Sequence, residues 1–252
     1  MLFRSDYITQ RGGGGISLSG TTVSVLLYAD NIILVSDTQE GLQQHLSALD
    51  DFCAQKGLTV NLGKTKAMIF HTSAQVRQQT TLTLAGGEVE IVGSYVYLGI
   101  TFTATQGKFS MAQAARDRLT RGYAALGALE RQCHQAHFQE PRTKGWLFDT
   151  LVTPALMYSS SVWGPGLTAD TWSQMERPQV LMLARMIRSK PSVPHDIVRA
   201  EFAAPPMVVE ALFPTVCFIH REREMGPDRL SHRALEASLQ LVAAGEGGSW
   251  YA

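Results

Sequence analysis

The chain has 252 residues, of which 45% are hydrophobic and 17% charged, so it can bury a core and is not disordered by composition. Lysine plus arginine equal aspartate plus glutamate at 22 each. This balance argues against a protein that coats nucleic acid with a generally basic surface, but it leaves a local basic face possible. The three cysteines are far apart, and the sequence shows neither a basic-then-apolar leader nor an apolar run of about eighteen residues. We therefore expect an intracellular protein with no membrane span and no disulfide partner.

Two short apolar runs at residues 25–27 and 32–35 flank a polar tip at residues 28–31. Apolar runs of this length predict buried strands, and the polar break between them predicts a hairpin turn. Such a hairpin would hold the carboxylate of Asp30 on a rigid scaffold, as Mg²⁺ binding in phosphoryl transfer requires. Aspartate and asparagine are also ordinary turn formers, so the turn alone does not choose between the two roles.

A helix is predicted next, with Thr38 as its N-cap, Lys56 in its last turn and Gly57 just after its end. Its apolar positions recur at helical spacing and predict a face that packs beneath the hairpin. These positions are Leu42, Leu46, Leu49 and Cys53.

Residues 58–60 and 67–70 predict strands on either side of a turn that carries Lys64. A lysine at this point could neutralise phosphate charge, or it could be a solvated turn residue. Residues 81–85 and 88–92 alternate around a glycine pair and predict a second hairpin.

Residues 94–102 predict a further strand, and its tyrosines Tyr95 and Tyr97 are candidates either for binding or for half-buried positions in a sheet. Residues 110–136 then show a helical pattern, and the balance of charge changes here. Between Lys108 and Lys144 there are seven basic and three acidic residues, whereas residues 30–51 hold five acidic and no basic ones. This pattern predicts contact with the backbone of a duplex, although a solvated helix face would show the same residues.

Pro141 predicts the start of another helix, which would extend over residues 142–160. A later amphipathic segment is interrupted at Pro178, where the helix is expected to break or kink. The core candidates of residues 142–160 are Trp146, Phe148, Leu151, Leu156 and Met157.

The tip at residues 28–31 reads Tyr-Ala-Asp-Asn and resembles motif C of reverse transcriptases, the Tyr-Ala-Asp-Asp hairpin. Three later stretches resemble the non-LTR, LINE-type retrotransposon enzymes in order and spacing: residues 57–66, 97–102, and 151–158 followed by Trp163 and Gly164. The resemblance implies an α+β fold, with a partial polymerase palm of antiparallel strands and a packed helix at residues 1–105. An all-helical thumb or connector at 106–204 and a helical tail at 205–252 would follow.

The resemblance also implies an RNA-directed DNA polymerase that uses Mg²⁺ to join a dNTP to a DNA primer on an RNA template. Asp30 would be a metal-bridging catalytic residue with Asn31 as a weak ligand, and Lys64 would assist at the phosphates. The residues implied in primer or template binding are Tyr28, Tyr97, Leu98 and Gly99.

Two departures from the family pattern predict that the chain is inactive alone. The fingers and motif A, which supplies the other essential aspartate, lie upstream of the resemblance, and the sequence offers no room for them before Met1. In addition, Asn31 replaces the second aspartate of motif C, and an amide brings no charge to a divalent ion. The alternative is a non-catalytic helical module that binds nucleic acid or a protein partner on a palm scaffold.

Overall fold

The computed structural model describes residues 5–11, 13–70, 79–104, 111–190 and 192–245. They form two compact units: unit 1 contains the described residues of 1–95, 104–109 and 225–246, and unit 2 contains those of 96–103 and 110–224. Short strand pairs are concentrated in unit 1 and helices in unit 2, which confirms the predicted α+β class. The predicted domain limits at residues 105 and 204 stay predictions.

The described secondary structure has the following order along the chain. It comprises α1 (Ser5–Arg11), β1 (Ile16–Leu18), β2 (Thr21–Val23), β3 (Val25–Tyr28), β4 (Asn31–Leu34), α2 (Gln39–Lys56), β5 (Lys66–Ala67), β6 (Thr83–Leu84), β7 (Gly87–Glu88), β8 (Glu90–Ile91), β9 (Ser94–Tyr97), β10 (Ile100–Thr103), α3 (Ala112–Gln135), α4 (Pro141–Leu147), a π-helical turn (Phe148–Val152), α5 (Thr153–Met157), α6 (Ser160–Trp163), α7 (Ala169–Met186), α8 (His195–Glu201), α9 (Met207–Glu224) and α10 (Leu230–Ala243).

The strands of unit 1 pair two by two, so the sheets of the described chain are small. β1 pairs with β2, β3 with β4 and β6 with β7, each antiparallel, whereas β5 and β8 are parallel. β9 and β10 form a further two-stranded sheet. Two-stranded sheets are marginal by themselves, so the helices of the same unit must supply most of the buried apolar contact.

Helix α2 supplies the centre of the apolar core of unit 1, and it forms where the sequence predicts. The Thr38 hydroxyl accepts the Gly41 N–H at 3.1 Å at the N-terminus, and Gly57 ends the helix with a φ of 65°. The predicted apolar face is confirmed, because Leu46, Leu49 and Cys53 are buried. α2 packs against α1 and contacts both β4 and β6.

Two strand predictions in unit 1 are wrong. Residues 58–60 form no strand, and the strand predicted at 67–70 is reduced to β5. The reason is local, because the Asn61 carbonyl accepts the N–H groups of both Lys64 and Thr65 and closes a tight turn. Leu58 is 56% exposed, so burial of its side chain does not stabilise a strand there.

The prediction that the strands of the 25–35 hairpin are buried is also wrong. Leu26, Leu27 and Ile32 are 37%, 43% and 38% exposed. The partly buried residues Val25 and Leu34 pack on the unit 1 core. Burial is therefore confined to the end of the hairpin that lies away from its tip.

Unit 2 is built around the long helix α3, which confirms the helix predicted at residues 110–136 within the described residues. α3 packs against β10, the π-helical turn, α5, α6 and α7. Its buried side includes Ala114, Ala115, Leu126 and Leu129, which belong to one large apolar core. The same core contains Trp163, which is 0% exposed.

The single helix predicted over residues 142–160 is divided into α4, the π-helical turn and α5, and then ends at Tyr158. The core prediction is correct for Phe148, Leu156 and Met157, whereas Trp146 and Leu151 are 63% and 49% exposed. The π-helical turn shifts the register of the helix, so a periodicity of 3.6 residues misplaces the side chains on either side of it.

The break expected at Pro178 is absent, because α7 continues through this residue and Pro178 is buried. Proline inside a helix removes one backbone hydrogen bond. Here Met175, Val180 and Leu183 are buried in the unit 2 core, and this apolar contact offsets the loss.

In none of the described ranges does a helix combine the length and hydropathy that a membrane crossing needs.

The backbone of α3 approaches α5 closely at Gly122. A Cβ added there would lie 2.6 Å from Leu156 Cδ1, and Leu156 is fully buried. Gly127 of the same helix offers a matched position, where the nearest atom to an added Cβ is Arg131 Nη1 at 3.5 Å.

We expect Gly127→Ala to raise the free energy of unfolding by up to about 1 kcal/mol, because alanine favours a helix over glycine by roughly that amount. In Gly122→Ala, overpacking against Leu156, which costs about 1–3 kcal/mol in a close-packed core, offsets the same gain. Urea unfolding followed by circular dichroism measures both variants. Equal stabilisation of the two would contradict the close approach at Gly122.

Candidate active site

The predicted turn of the 25–35 hairpin is confirmed. Strands β3 and β4 pair from Val25 with Leu34 to Tyr28 with Asn31, which leaves Ala29 and Asp30 as a two-residue turn. Ala29 has a φ of 52°, in the left-handed region that tight hairpin turns require. Asp30 is exposed, so the hairpin presents its carboxylate to solvent.

The residues of the tip offer only part of a metal site. Asp30 provides a charged oxygen, and Asn31 begins β4 with an exposed side chain whose amide oxygen is neutral. Among the described residues, no group of three or more histidine, cysteine, aspartate or glutamate side chains is arranged to hold a metal ion. The donor set therefore does not fit the complete pair of Mg²⁺ ions that the resemblance implies.

Lys64 lies on the exposed turn that Asn61 closes. Its N–H donates to the Asn61 carbonyl at 3.1 Å, and its own carbonyl accepts the Tyr95 hydroxyl at 3.4 Å. These bonds fix the backbone and leave the ammonium at the surface, so the geometry is compatible with a phosphate contact and with a solvated turn residue. Tyr28 is 59% exposed beside the hairpin tip.

The strand predicted at residues 94–102 is wrong as a single element, because the chain turns back at Leu98 and Gly99 between β9 and β10. Leu98 has a φ of 47° and Gly99 a φ of 77°. We call this feature the 98–99 turn. Tyr97 is half-buried at the end of β9, which is one of the two alternatives expected for the tyrosines, and Leu98 is 41% exposed.

Two side chains from other elements of unit 2 hold the 98–99 turn. The guanidinium of Arg118, on α3, donates to the Gly99 carbonyl. The Tyr158 hydroxyl, just after α5, donates to the Leu98 carbonyl at 3.2 Å. The Arg118 Cζ also lies 4.7 Å from the centre of the Tyr158 ring, a cation–π distance. Both carbonyls of the turn are thus occupied by side chains that contact each other.

The charge of Arg118 is unusual because its side chain is buried, with 6% exposure. Burial lowers the pKa of the guanidinium, and the nearby charge of Arg121 lowers it further, whereas Tyr158 and Asp117 act in the opposite direction. Asp117 is engaged elsewhere, because it accepts from the Thr101 hydroxyl of β10 and from the Gln113 amide. Sequence reasoning counted Arg118 as one of several surface cations, so its role in holding the turn was missed.

Because Arg118 is buried, it is not part of the basic surface of the helices. The candidate nucleic-acid face is therefore smaller than the sequence predicts. Arg116, Arg121 and Arg131 are exposed on α3, and Arg142 is exposed on α4. Lys108, which belongs to the predicted basic segment, lies outside the described residues.

Comparison with known proteins agrees with the resemblance of the motifs. Residues 7–102 match the sequence profile of the family described as reverse transcriptase (RNA-dependent DNA polymerase). A transposon-derived protein of Caenorhabditis elegans is 25% identical over 146 residues, which cover 58% of the chain and 50% of that protein. A 115 kDa protein in the type-1 retrotransposable element R1DM of Drosophila melanogaster is 26% identical over 142 residues, which cover 54% of the chain and 13% of that protein.

The chain therefore spans half or less of the length of these relatives, and no solved structure gives a significant match. The matched segment contains the hairpin with Asp30, the turn with Lys64 and the 98–99 turn. Residues 7–102 are therefore similar in sequence to reverse transcriptases, and the names of both relatives refer to transposable elements.

Proposed function

We propose that the chain is part of the RNA-directed DNA polymerase of a non-LTR retrotransposon and that Asp30 is its metal-binding carboxylate. The observation that carries this proposal is the exposed position of Asp30 in a two-residue turn, inside the segment that matches reverse transcriptases. A stiff hairpin fixes the carboxylate within the narrow range of distances that octahedral Mg²⁺ tolerates.

The reaction of such an enzyme joins a dNTP to a DNA primer on an RNA template. The primer 3′-hydroxyl attacks the α-phosphate, the bond between the α- and β-phosphates breaks, and pyrophosphate leaves. In this chain Asp30 would contribute negative charge on the metal side of the site. Lys64, on its exposed turn, would contribute positive charge where the triphosphate carries excess negative charge. The 98–99 turn and Tyr97 would contact the primer or template.

Asn31 limits what the isolated chain does. Divalent-metal catalysis of phosphoryl transfer needs carboxylates on both sides of a metal pair about 3.5–4 Å apart. At the tip of this hairpin one aspartate and one asparagine stand side by side, and the described residues form no larger cluster of ligands. We propose that the 252-residue chain is inactive alone.

The role of Asp30 can be tested without activity. We expect Mn²⁺ to broaden the amide NMR signals of residues 28–33 weakly in the chain and more strongly in Asn31→Asp, because a second carboxylate adds charge next to the first. Asp30→Asn should abolish the broadening. Asp37→Asn is the matched control, since Asp37 is an exposed aspartate outside the hairpin. Broadening that persists in Asp30→Asn would refute the assignment of Asp30.

Primer extension with Mg²⁺ or Mn²⁺ tests the predicted inactivity. The purified chain and Asn31→Asp should both fail to extend a DNA primer on an RNA template, because the variant restores charge at the tip but supplies no carboxylate on the other side of the metal pair. An incomplete metal site should lose several kcal/mol of transition-state stabilisation. Each 1.36 kcal/mol lost lowers the rate tenfold. Extension by the chain that disappears in Asp30→Ala would show that the prediction of inactivity is wrong.

Binding of nucleic acid should be measurable even in an inactive chain. With about three or four phosphate contacts from the exposed arginines of α3 and α4, log affinity for an RNA–DNA duplex should fall with log salt at a slope of roughly −3. Arg121→Gln together with Arg131→Gln should make the slope shallower by about 1–2. Arg223→Gln, at an exposed position on α9, is the control. Affinity that does not depend on salt would contradict a backbone contact.

A further inference from the structure

The 98–99 turn is held more tightly than an exposed hairpin turn needs to be. The Leu98 side chain is 41% exposed, yet the carbonyls of the turn accept from a buried arginine 19 positions away along the chain and from a tyrosine 60 positions away. Leu98 has a φ of 47°, a conformation that a non-glycine residue adopts only when its surroundings enforce it.

The tyrosine is itself held by a buried residue. The Trp163 indole N–H donates to the Tyr158 carbonyl at 2.9 Å, and Trp163 is 0% exposed with Trp172 5.9 Å away between ring centres. Ser159 takes a φ of 55°, in the left-handed region, between Tyr158 and α6. The core of unit 2 therefore fixes the backbone from which the Tyr158 ring reaches the turn.

Gly99 makes this arrangement possible. An added Cβ at Gly99 would lie 3.3 Å from Tyr158 Cε1 and 3.5 Å from Arg118 Nη2. The φ of 77° at Gly99 is also one that side chains rarely adopt. A side chain at this position would be strained by the backbone conformation and would press on the Tyr158 ring, so glycine favours the close approach.

We propose that Arg118 and Tyr158 are positioning residues that hold the 98–99 turn in the conformation that contacts the primer 3′ end. This inference rests on the proposed function, because it takes the 98–99 turn to lie at the primer. With both carbonyls already engaged, the turn offers the nucleic acid its outer side, which includes the exposed Leu98 side chain.

A purely structural role would not need a charge in this place. Burying a guanidinium is costly, and an apolar side chain of similar volume would fill the same space in the core without that cost. The guanidinium instead donates a hydrogen bond to the backbone of an exposed turn. The geometry therefore favours a requirement for a fixed turn over a requirement for a filled core.

The test uses the full 252-residue chain and an RNA template annealed to a DNA primer that ends in a photoreactive 4-thiothymidine. Tyr158→Phe removes the hydroxyl that donates to Leu98 but keeps the ring on which Arg118 stacks. Tyr123→Phe is the matched control, because it removes a hydroxyl from a residue of α3 that is 39% exposed. Hydrogen exchange of residues 96–103 is measured on the same proteins without nucleic acid.

We expect Tyr158→Phe to lower the yield of the crosslink to residues 94–103 by about fivefold, the factor that corresponds to a lost hydrogen bond of about 1 kcal/mol. Exchange in residues 96–103 should become faster, while the overall affinity for the duplex stays unchanged. Tyr123→Phe should behave as the unmodified chain in all three measurements. Arg118→Lys, which keeps the charge but loses the planar stack, should lower the crosslink as well.

The proposal is overturned if Tyr158→Phe leaves both exchange and crosslinking unchanged, and also if exchange becomes faster while crosslinking stays the same. The second result would leave Tyr158 with a structural role only. A third result, protected exchange in the unmodified chain but no crosslink to residues 94–103, would overturn the primer contact itself. That result is a failure of the proposed function at this turn rather than of the contacts that hold it.

Discussion

The 98–99 turn and its contact with the end of α5 depend on the burial of the Arg118 guanidinium. A buried charge is tolerated only when polar or polarisable groups replace the water it has lost. In the described part of the chain these groups include the Gly99 carbonyl and the face of the Tyr158 ring, and the nearby charge of Asp117 acts in the same sense. The turn and the end of α5 are therefore joined through one side chain of α3, and a change in either alters the solvation of the same charge.

The sequence predicted those elements whose signals lie within a few residues of one another. Helix α2 has its cap at Thr38 and its terminating glycine at Gly57, and both are local features. The 25–35 hairpin was predicted from two apolar runs on either side of a polar break. The 98–99 turn was missed because Leu98 is a poor turn residue, and the conformation of the turn depends on hydrogen-bond partners that lie 19 and 60 positions later. A pattern of neighbouring residues does not indicate hydrogen-bond partners that lie so far along the chain.

The exposed strands of the β3–β4 hairpin show a second limit of pattern reading. An apolar run reveals that its residues favour burial, but it does not reveal which element covers them. The ladder from Val25–Leu34 to Tyr28–Asn31 satisfies backbone hydrogen bonds within the hairpin, so the turn can form even where Leu27 stays 43% exposed. Turn geometry and burial are thus set by different interactions, and the sequence predicted only the first correctly.

The same separation applies to structure and chemistry at the tip. The turn depends on the register of β3 with β4 and on the left-handed conformation of Ala29, and neither requires a carboxylate at Asn31. Asparagine and aspartate have nearly the same shape, so the hairpin keeps its form while the charge beside Asp30 changes. The attraction of the tip for a divalent cation depends on that charge, whereas the fold does not. The fold of the hairpin and the attraction of its tip for a divalent cation are therefore set by different interactions.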